Sequence, residues 1–133
     1  MTNPKDLKYS EHDEWLRLDA DGVHAWVGIT AQAVEALSDL VFLDLPEVGK
    51  EIQQGEVFGE IESVKAVADL YAPMTGEVVK RNDALIDDLA ILKKDPYGAG
   101  WMLQIRVEKR SEADKLMQAD AYASHLKSRA DHH

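Results

Sequence analysis

From residue 46 to residue 76 the chain is punctuated by Pro46, Gly49, Gly55, Gly59, Pro73 and Gly76. Breakers at this spacing favour a series of short strands, and several brief strands close together build a small sandwich or barrel. Val57, Gly59 and Ile61 alternate with Phe58, Glu60 and Glu62 as one strand does, and Ala66–Tyr71 reads as a return strand. A faint echo links Gly49-Lys50-Glu51-Ile52 to Gly76-Glu77-Val78-Val79. Two such segments are too few for a solenoid and suit two similar halves of one sandwich.

The flanks extend this pattern. Glu14–Leu18 and Val23–Ile29 alternate on either side of Asp21-Gly22, a strong hairpin signal. Thr30 is placed to cap a short helix through Ser38, with Ala33, Val34 and Leu37 on one face. Leu40–Leu45, stopped by Pro46, reads as a buried strand. Ala84–Leu92 fits a short helix or an apolar loop, and Trp101–Val107 a closing strand. Ser111-Glu-Ala-Asp114 is a weakened capping box opening a helical stretch with Leu116, Met117, Tyr122 and Leu126, and Lys127–His133 reads as a frayed polar tail. The expectation is one domain over 1–133, with a helical extension from about 111.

Composition narrows the function. Net charge is −10, which argues against a surface built to neutralise nucleic-acid phosphates and against anionic membranes. No apolar run approaches the roughly 18 residues of a membrane span. The start carries neither a signal-peptide apolar region nor a basic presequence, so a bacterial cytoplasm is expected ahead of a mitochondrial matrix. With no cysteine, the chain has no disulfide, thiolate metal site or cysteine nucleophile.

The usual chemical motifs are missing. His12, His24, His125, His132 and His133 include no pair at the i,i+4 spacing of a zinc protease, and no metal site is expected. His12-Asp13-Glu14 reads as a surface cluster whose side chains diverge in an extended segment. No nucleophile elbow or phosphate-binding glycine loop occurs.

One lysine stands apart. Lys65 is the only lysine between Lys50 and Lys80, and the hairpin pattern puts it at or beside the tip. A hairpin tip projects into solvent, where a modifying enzyme can reach the amine. A group tethered there stays at high effective concentration near successive partners. Glu60, Glu62 and Asp69 surround it with negative charge that partners can recognise.

Glu62-Ser63-Val64-Lys65-Ala66, followed by Asp69, Ala72-Pro73 and Gly76-Glu77-Val78, resembles the lipoyl-lysine motif of the glycine cleavage system H proteins. Lys8-Tyr9, Glu14-Trp15, Val27–Thr30, Val41-Phe42, Leu45-Pro46, Asp95–Gly98 and Gly100-Trp101 match in order, so the resemblance spans roughly residues 8–107. Biotin-carrier domains favour Met on both sides of the lysine, where this chain has Val64 and Ala66. Lipoyl domains of 2-oxoacid dehydrogenases usually carry an acidic residue just before it.

The resemblance implies a mainly β hybrid barrel-sandwich of two antiparallel sheets with added helices, and (R)-lipoate in amide linkage to Lys65. It implies a carrier without turnover of its own that takes an aminomethyl group from pyridoxal-phosphate-dependent glycine decarboxylase to tetrahydrofolate-dependent aminomethyltransferase. Dihydrolipoamide dehydrogenase would reoxidise the arm, and a lipoyl- or octanoyl-transferring enzyme would install it. In the family the loaded arm folds back into a cleft, and by the same resemblance Glu14 and Asp69 would hydrogen-bond its cationic amine.

The chain also departs from the family. After Thr30 the family tends to have an acidic residue, then His or Tyr, where this chain reads Ala31-Gln32-Ala33-Val34. Gln32 therefore takes the position of a ring that meets the arm. Leu89 and Lys93 stand where Pro and Asn are common. These departures leave two other readings open: a divergent paralogue serving as a lipoyl relay or as carrier for another enzyme, and an unlipoylated interaction module.

Overall fold

The computed structural model describes residues 3–130, and His132 and His133 lie outside the described residues. Nine strands form two antiparallel sheets: β1 (Lys8–Tyr9), β2 (Glu14–Leu18), β3 (His24–Ile29), β4 (Leu40–Asp44), β5 (Glu51–Ile52), β6 (Val57–Ser63), β7 (Val67–Tyr71), β8 (Gly76–Arg81) and β9 (Leu103–Val107). The larger sheet runs β1-β2-β3-β9-β8-β5 and the smaller β4-β6-β7. This is the expected mainly β, two-sheet arrangement. The echoing segments, expected in separate halves, instead pair with each other within the larger sheet, Glu51 opposite Glu77 and Ile52 opposite Gly76.

The core lies between the sheets. Val27, Ile105 and Val78 from the larger sheet and Leu43, Ile61 and Leu70 from the smaller belong to one buried cluster. Across the smaller sheet the register sets Leu43, Ile61 and Ala68 in one row, and Asp44, Glu60 and Asp69 in the next. Period-two alternation thus gives this sheet an apolar inner face and an acidic outer one. β4 was expected to be buried, but Val41 and Phe42 are exposed. It is an edge strand, and its register shifts between Leu40 and Phe42. A run that looks continuously apolar therefore has an outward face.

Helices close the ends. Thr30 caps α1 (Ala31–Leu37) by accepting the Ala33 N–H. The ambiguous Ala84–Leu92 stretch forms two short helices, α2 (Asp83–Asp87) and α3 (Ala90–Lys94). The expected cap at Ser111 is absent: a 3-10 helix spans Arg110–Lys115, so Ser111 lies inside it, no side chain caps it, and Glu112 bonds to the Thr75 N–H and hydroxyl. Met117 then bridges to Tyr9 before α4 (Ala119–Ala130) begins. α4 includes residues 127–130, so this part of the expected tail is helical. Tyr122 stacks on Tyr9 with ring centroids 4.6 Å apart, seating α4 against β1. No helix among the described residues is long and apolar enough to cross a membrane.

Candidate functional site: a braced lysine beside a two-walled cleft

Strands β6 and β7 make the hairpin that the alternation predicts, and Lys65 occupies its exposed tip between Val64 and Ala66. Ser63 sets the turn. Its N–H donates to the Ala66 carbonyl at 2.8 Å, while its Oγ accepts the Ala66 N–H at 3.1 Å. Ser63 is itself buried, so these bonds are shielded from competing water. The Val64 N–H donates to the Asp39 carbonyl at 2.9 Å, tying the tip to the residue before β4. Glu62 lies one position below in the β6 ladder, opposite Val67. The backbone around Lys65 is fixed, yet the amine makes no ion pair among the described residues.

Below the tip, β7 is the free edge of the small sheet and borders a cleft of about 170 Å³. Ala68, Asp69 and Leu70 form one side, Ala33, Ala36 and Leu37 of α1 face them, and Ile29 and Ile61 are also in the lining. Lys65 precedes Asp69 by four residues, so their Cα atoms are at most about 14 Å apart. Glu14 closes the cleft from β2 and is almost fully buried. Its Oε1 accepts the Ser10 hydroxyl at 2.5 Å and its Oε2 the Tyr71 N–H at 3.2 Å. Burial pushes the Glu14 carboxyl up to about 8, against the pull of these two hydrogen bonds. At neutral pH it is mostly protonated.

Of the three expected cleft contacts, Glu14 and Asp69 share the lining and Gln32 does not. The helical turn gives Ala33, Ala36 and Leu37 to the cleft and leaves Gln32 half-buried on another face of α1. The ring present at the cleft is His12, stacked on Tyr71 with centroids 4.2 Å apart. The sequence reading missed it by treating residues 12–14 as extended. Asp13 has φ = +70°, and His12, Asp13 and Glu14 all border the same cleft. An Asp tolerates the left-handed region better than most residues, the one local signal that hints at this turn.

A second cavity of about 360 Å³ also takes in His12 and Glu14, together with Ser10, Tyr71, Lys115 and His125. The departures near α1 and α3 come together elsewhere. Ala31, Val34 and Lys93 line one groove, and Lys93 and Leu89 line its neighbour. Lys93 pairs with Asp39 at 3.5 Å, the residue whose carbonyl braces Val64. Asp19 and Asp21 on the β2–β3 loop and His24 at the start of β3 bring their ligand atoms within 4.8 Å of one another, and none of the three lines the cleft.

The family model for glycine cleavage H-protein matches residues 7–129. A glycine cleavage system H protein of Corynebacterium jeikeium is 50% identical over 121 residues, covering 90% of this chain and 93% of the relative. One from Gloeothece citriformis is 49% identical, with 96% of each chain covered. The crystal structure of a glycine cleavage system H protein from Mycobacterium marinum superposes with a TM-score of 0.82 at 41% identity, covering 94% of this chain and 99% of that one.

Proposed function

This chain belongs to the glycine cleavage H-protein family, and from that premise we propose that it is the lipoyl carrier of the glycine cleavage system, acylated on Lys65. The observation that carries the reading is an exposed lysine, without an ion pair among the described residues, on a hydrogen-bonded hairpin tip four residues before Asp69 of a cleft lined by apolar side chains and carboxyl groups. The amine attacks an activated acyl carbonyl brought by a lipoyl- or octanoyl-transferring enzyme. An amide bond forms, the activating group leaves and the nitrogen gives up a proton. Ser63 and Asp39 hold the tip in one shape for that enzyme.

When attached, lipoate supplies a disulfide that is reductively opened as it takes up an aminomethyl group. The chain has no thiol of its own, which agrees with redox sulfurs that arrive with a cofactor. Ile29, Ala33, Leu37 and Ile61 give an aliphatic arm apolar contact and exclude water. Glu14 and Asp69 offer carboxyl oxygens to a cationic amine, a charge-assisted pairing. A cation beside Glu14 favours its ionised form, so docking releases the proton that burial otherwise retains.

The partners under this reading are glycine decarboxylase, aminomethyltransferase and dihydrolipoamide dehydrogenase, and the chain performs no turnover alone. The bacterial relatives support a bacterial cytoplasmic setting. The test is reconstitution. Lipoylated protein should support exchange of the glycine carboxyl carbon with bicarbonate by glycine decarboxylase, and Lys65→Arg should not. Acylation of Lys65 without that exchange would indicate a lipoyl relay or a carrier for another enzyme. Native protein carrying only unmodified Lys65 would indicate an interaction module.

A further inference from the structure

We infer that Tyr122 of α4 is a positioning residue for the cleft: acting through Asp13, it holds the Glu14 carboxyl that closes the cleft in place against α1, the helix that forms one of its sides. The inference rests on the carrier reading above for what the cleft receives.

Asp13 is the junction. Its N–H donates to the Ser10 carbonyl at 3.2 Å, and its carbonyl accepts the Thr30 N–H at 2.9 Å, so one residue joins the Glu14 strand to the cap of α1. It does so with φ = +70°, a left-handed turn that these two main-chain bonds hold in place. The Tyr122 hydroxyl donates to Asp13 Oδ1 at 2.8 Å. Tyr122 has one hydroxyl proton and a carboxylate only accepts. The 2.8 Å contact between Tyr122 and Thr30 therefore runs from the Thr30 hydroxyl to the Tyr122 oxygen. The resulting chain, Thr30 to Tyr122 to Asp13, is buried at both hydroxyls. Burial also pushes the Tyr122 hydroxyl far above its usual range, which keeps it a donor.

Arg129, the penultimate residue of α4, adds an ion pair to Asp13 Oδ2 at 3.2 Å and a bond to the Glu11 carbonyl at 3.3 Å. Its guanidinium is substantially exposed, so its share is smaller than that of the buried hydroxyl. The attachment site is braced separately: Ser63 bonds to Ala66, while Asp39 accepts the Val64 N–H and pairs with Lys93. Modification of Lys65 and retention of the arm are therefore separable by substitution.

The decisive variant is Tyr122→Phe, which keeps the stack on Tyr9 and removes only the hydroxyl. Carboxyl carbon NMR of the unlipoylated protein follows Glu14 as pH is varied. In the wild type Glu14 should titrate near 8, and with its end of the cleft released and wetted it should fall toward 4.5. Arg129→Gln, a surface change that keeps the fold, should produce a smaller fall in the same direction. Acylation of Lys65 should proceed at the wild-type rate in both. In lipoylated, reduced protein loaded with formaldehyde and ammonium, which condense on a thiol with loss of water, the amine should be lost about three- to tenfold faster in Tyr122→Phe. A Glu14 titration unmoved in Tyr122→Phe overturns the inference; should that variant not fold, an unmoved titration in Arg129→Gln does so. Glu14→Gln is the control for the underlying reading. If Glu14→Gln leaves amine loss unchanged, the cleft does not shelter the arm, whereas a shifted Glu14 titration in Tyr122→Phe would still establish the positioning tie.

Discussion

Glu14 accepts the main-chain N–H of Tyr71 at 3.2 Å, joining two residues 57 positions apart and covering a donor on the open edge of β7. A buried carboxyl that caps a strand edge couples the protonation of the cleft to the stability of the fold.

The first prediction concerns that coupling. Burial raises the Glu14 carboxyl from 4.5 to about 8 in the folded protein. Between those values the folded state holds a proton that the unfolded state has lost. The Glu14 contribution is therefore fully present below about 4.5 and declines as pH rises toward 8, by at most about 1.4 kcal/mol per pH unit. Urea midpoints measured from pH 5 to pH 8 should show this decline, and Glu14→Gln should flatten it. An equal slope in both proteins would remove Glu14 as its source.

Retention of a cation in the cleft runs with the opposite sign. Glu14 must ionise to pair with an ammonium, so retention should strengthen as pH rises to about 8 and level off above it. Asp13, Asp69 and His12 line the same space. Rates of amine loss from the loaded arm across this range test the prediction; retention that weakens between pH 6 and 8 would contradict it.

Lys65→Arg keeps the positive charge but has no primary amine. The protein should fold with stability within about 0.5 kcal/mol of wild type, as surface changes usually do. Intact mass after incubation with a lipoyl-transferring enzyme should show no adduct. An adduct on this variant would place the attachment elsewhere.

Ser63→Ala removes the hydroxyl that accepts the Ala66 N–H and leaves that donor at the tip without it. A loss of about 1 kcal/mol is expected, with slower acylation of a Lys65 that remains chemically intact. Denaturation midpoints and acylation rates would be compared side by side. Unchanged acylation would mean that the transferring enzyme imposes its own geometry on the turn.

Gly28→Ala would set a Cβ 2.6 Å from the ring of Trp15, its cross-strand partner. Trp15 is fully buried and its indole N–H donates to the Pro96 carbonyl at 3.0 Å, so the ring has little room to withdraw. Overpacking of this kind costs about 1–3 kcal/mol. Near-ultraviolet circular dichroism should change with the lowered melting temperature, and a variant with both signals unaltered would refute the crowding.

The position of Lys65 was legible because it follows from local rules: alternation on both sides of a short turn leaves few places for the residues between. The α1 cap at Thr30 and the Asp21-Gly22 hairpin were legible for the same reason. The burial of β4 was misjudged because an apolar run carries no mark of which strand will lie at an edge. The role of residues 12–14 was hidden because the left-handed turn at Asp13 is supported by Thr30 and Tyr122, contacts 17 and 109 positions away along the sequence. Gln32 was assigned by family position, and only the helical phase of α1 shows that its neighbours line the cleft instead.

The row of Asp44, Glu60 and Asp69 has a consequence for life in a crowded solution. A three-stranded sheet with two open borders and an exposed Phe42 is a template on which further copies could zip together. Three carboxylates abreast make every such stacking repel itself, at the cost of some strain within the sheet. A small acidic domain is in this way protected from its own kind.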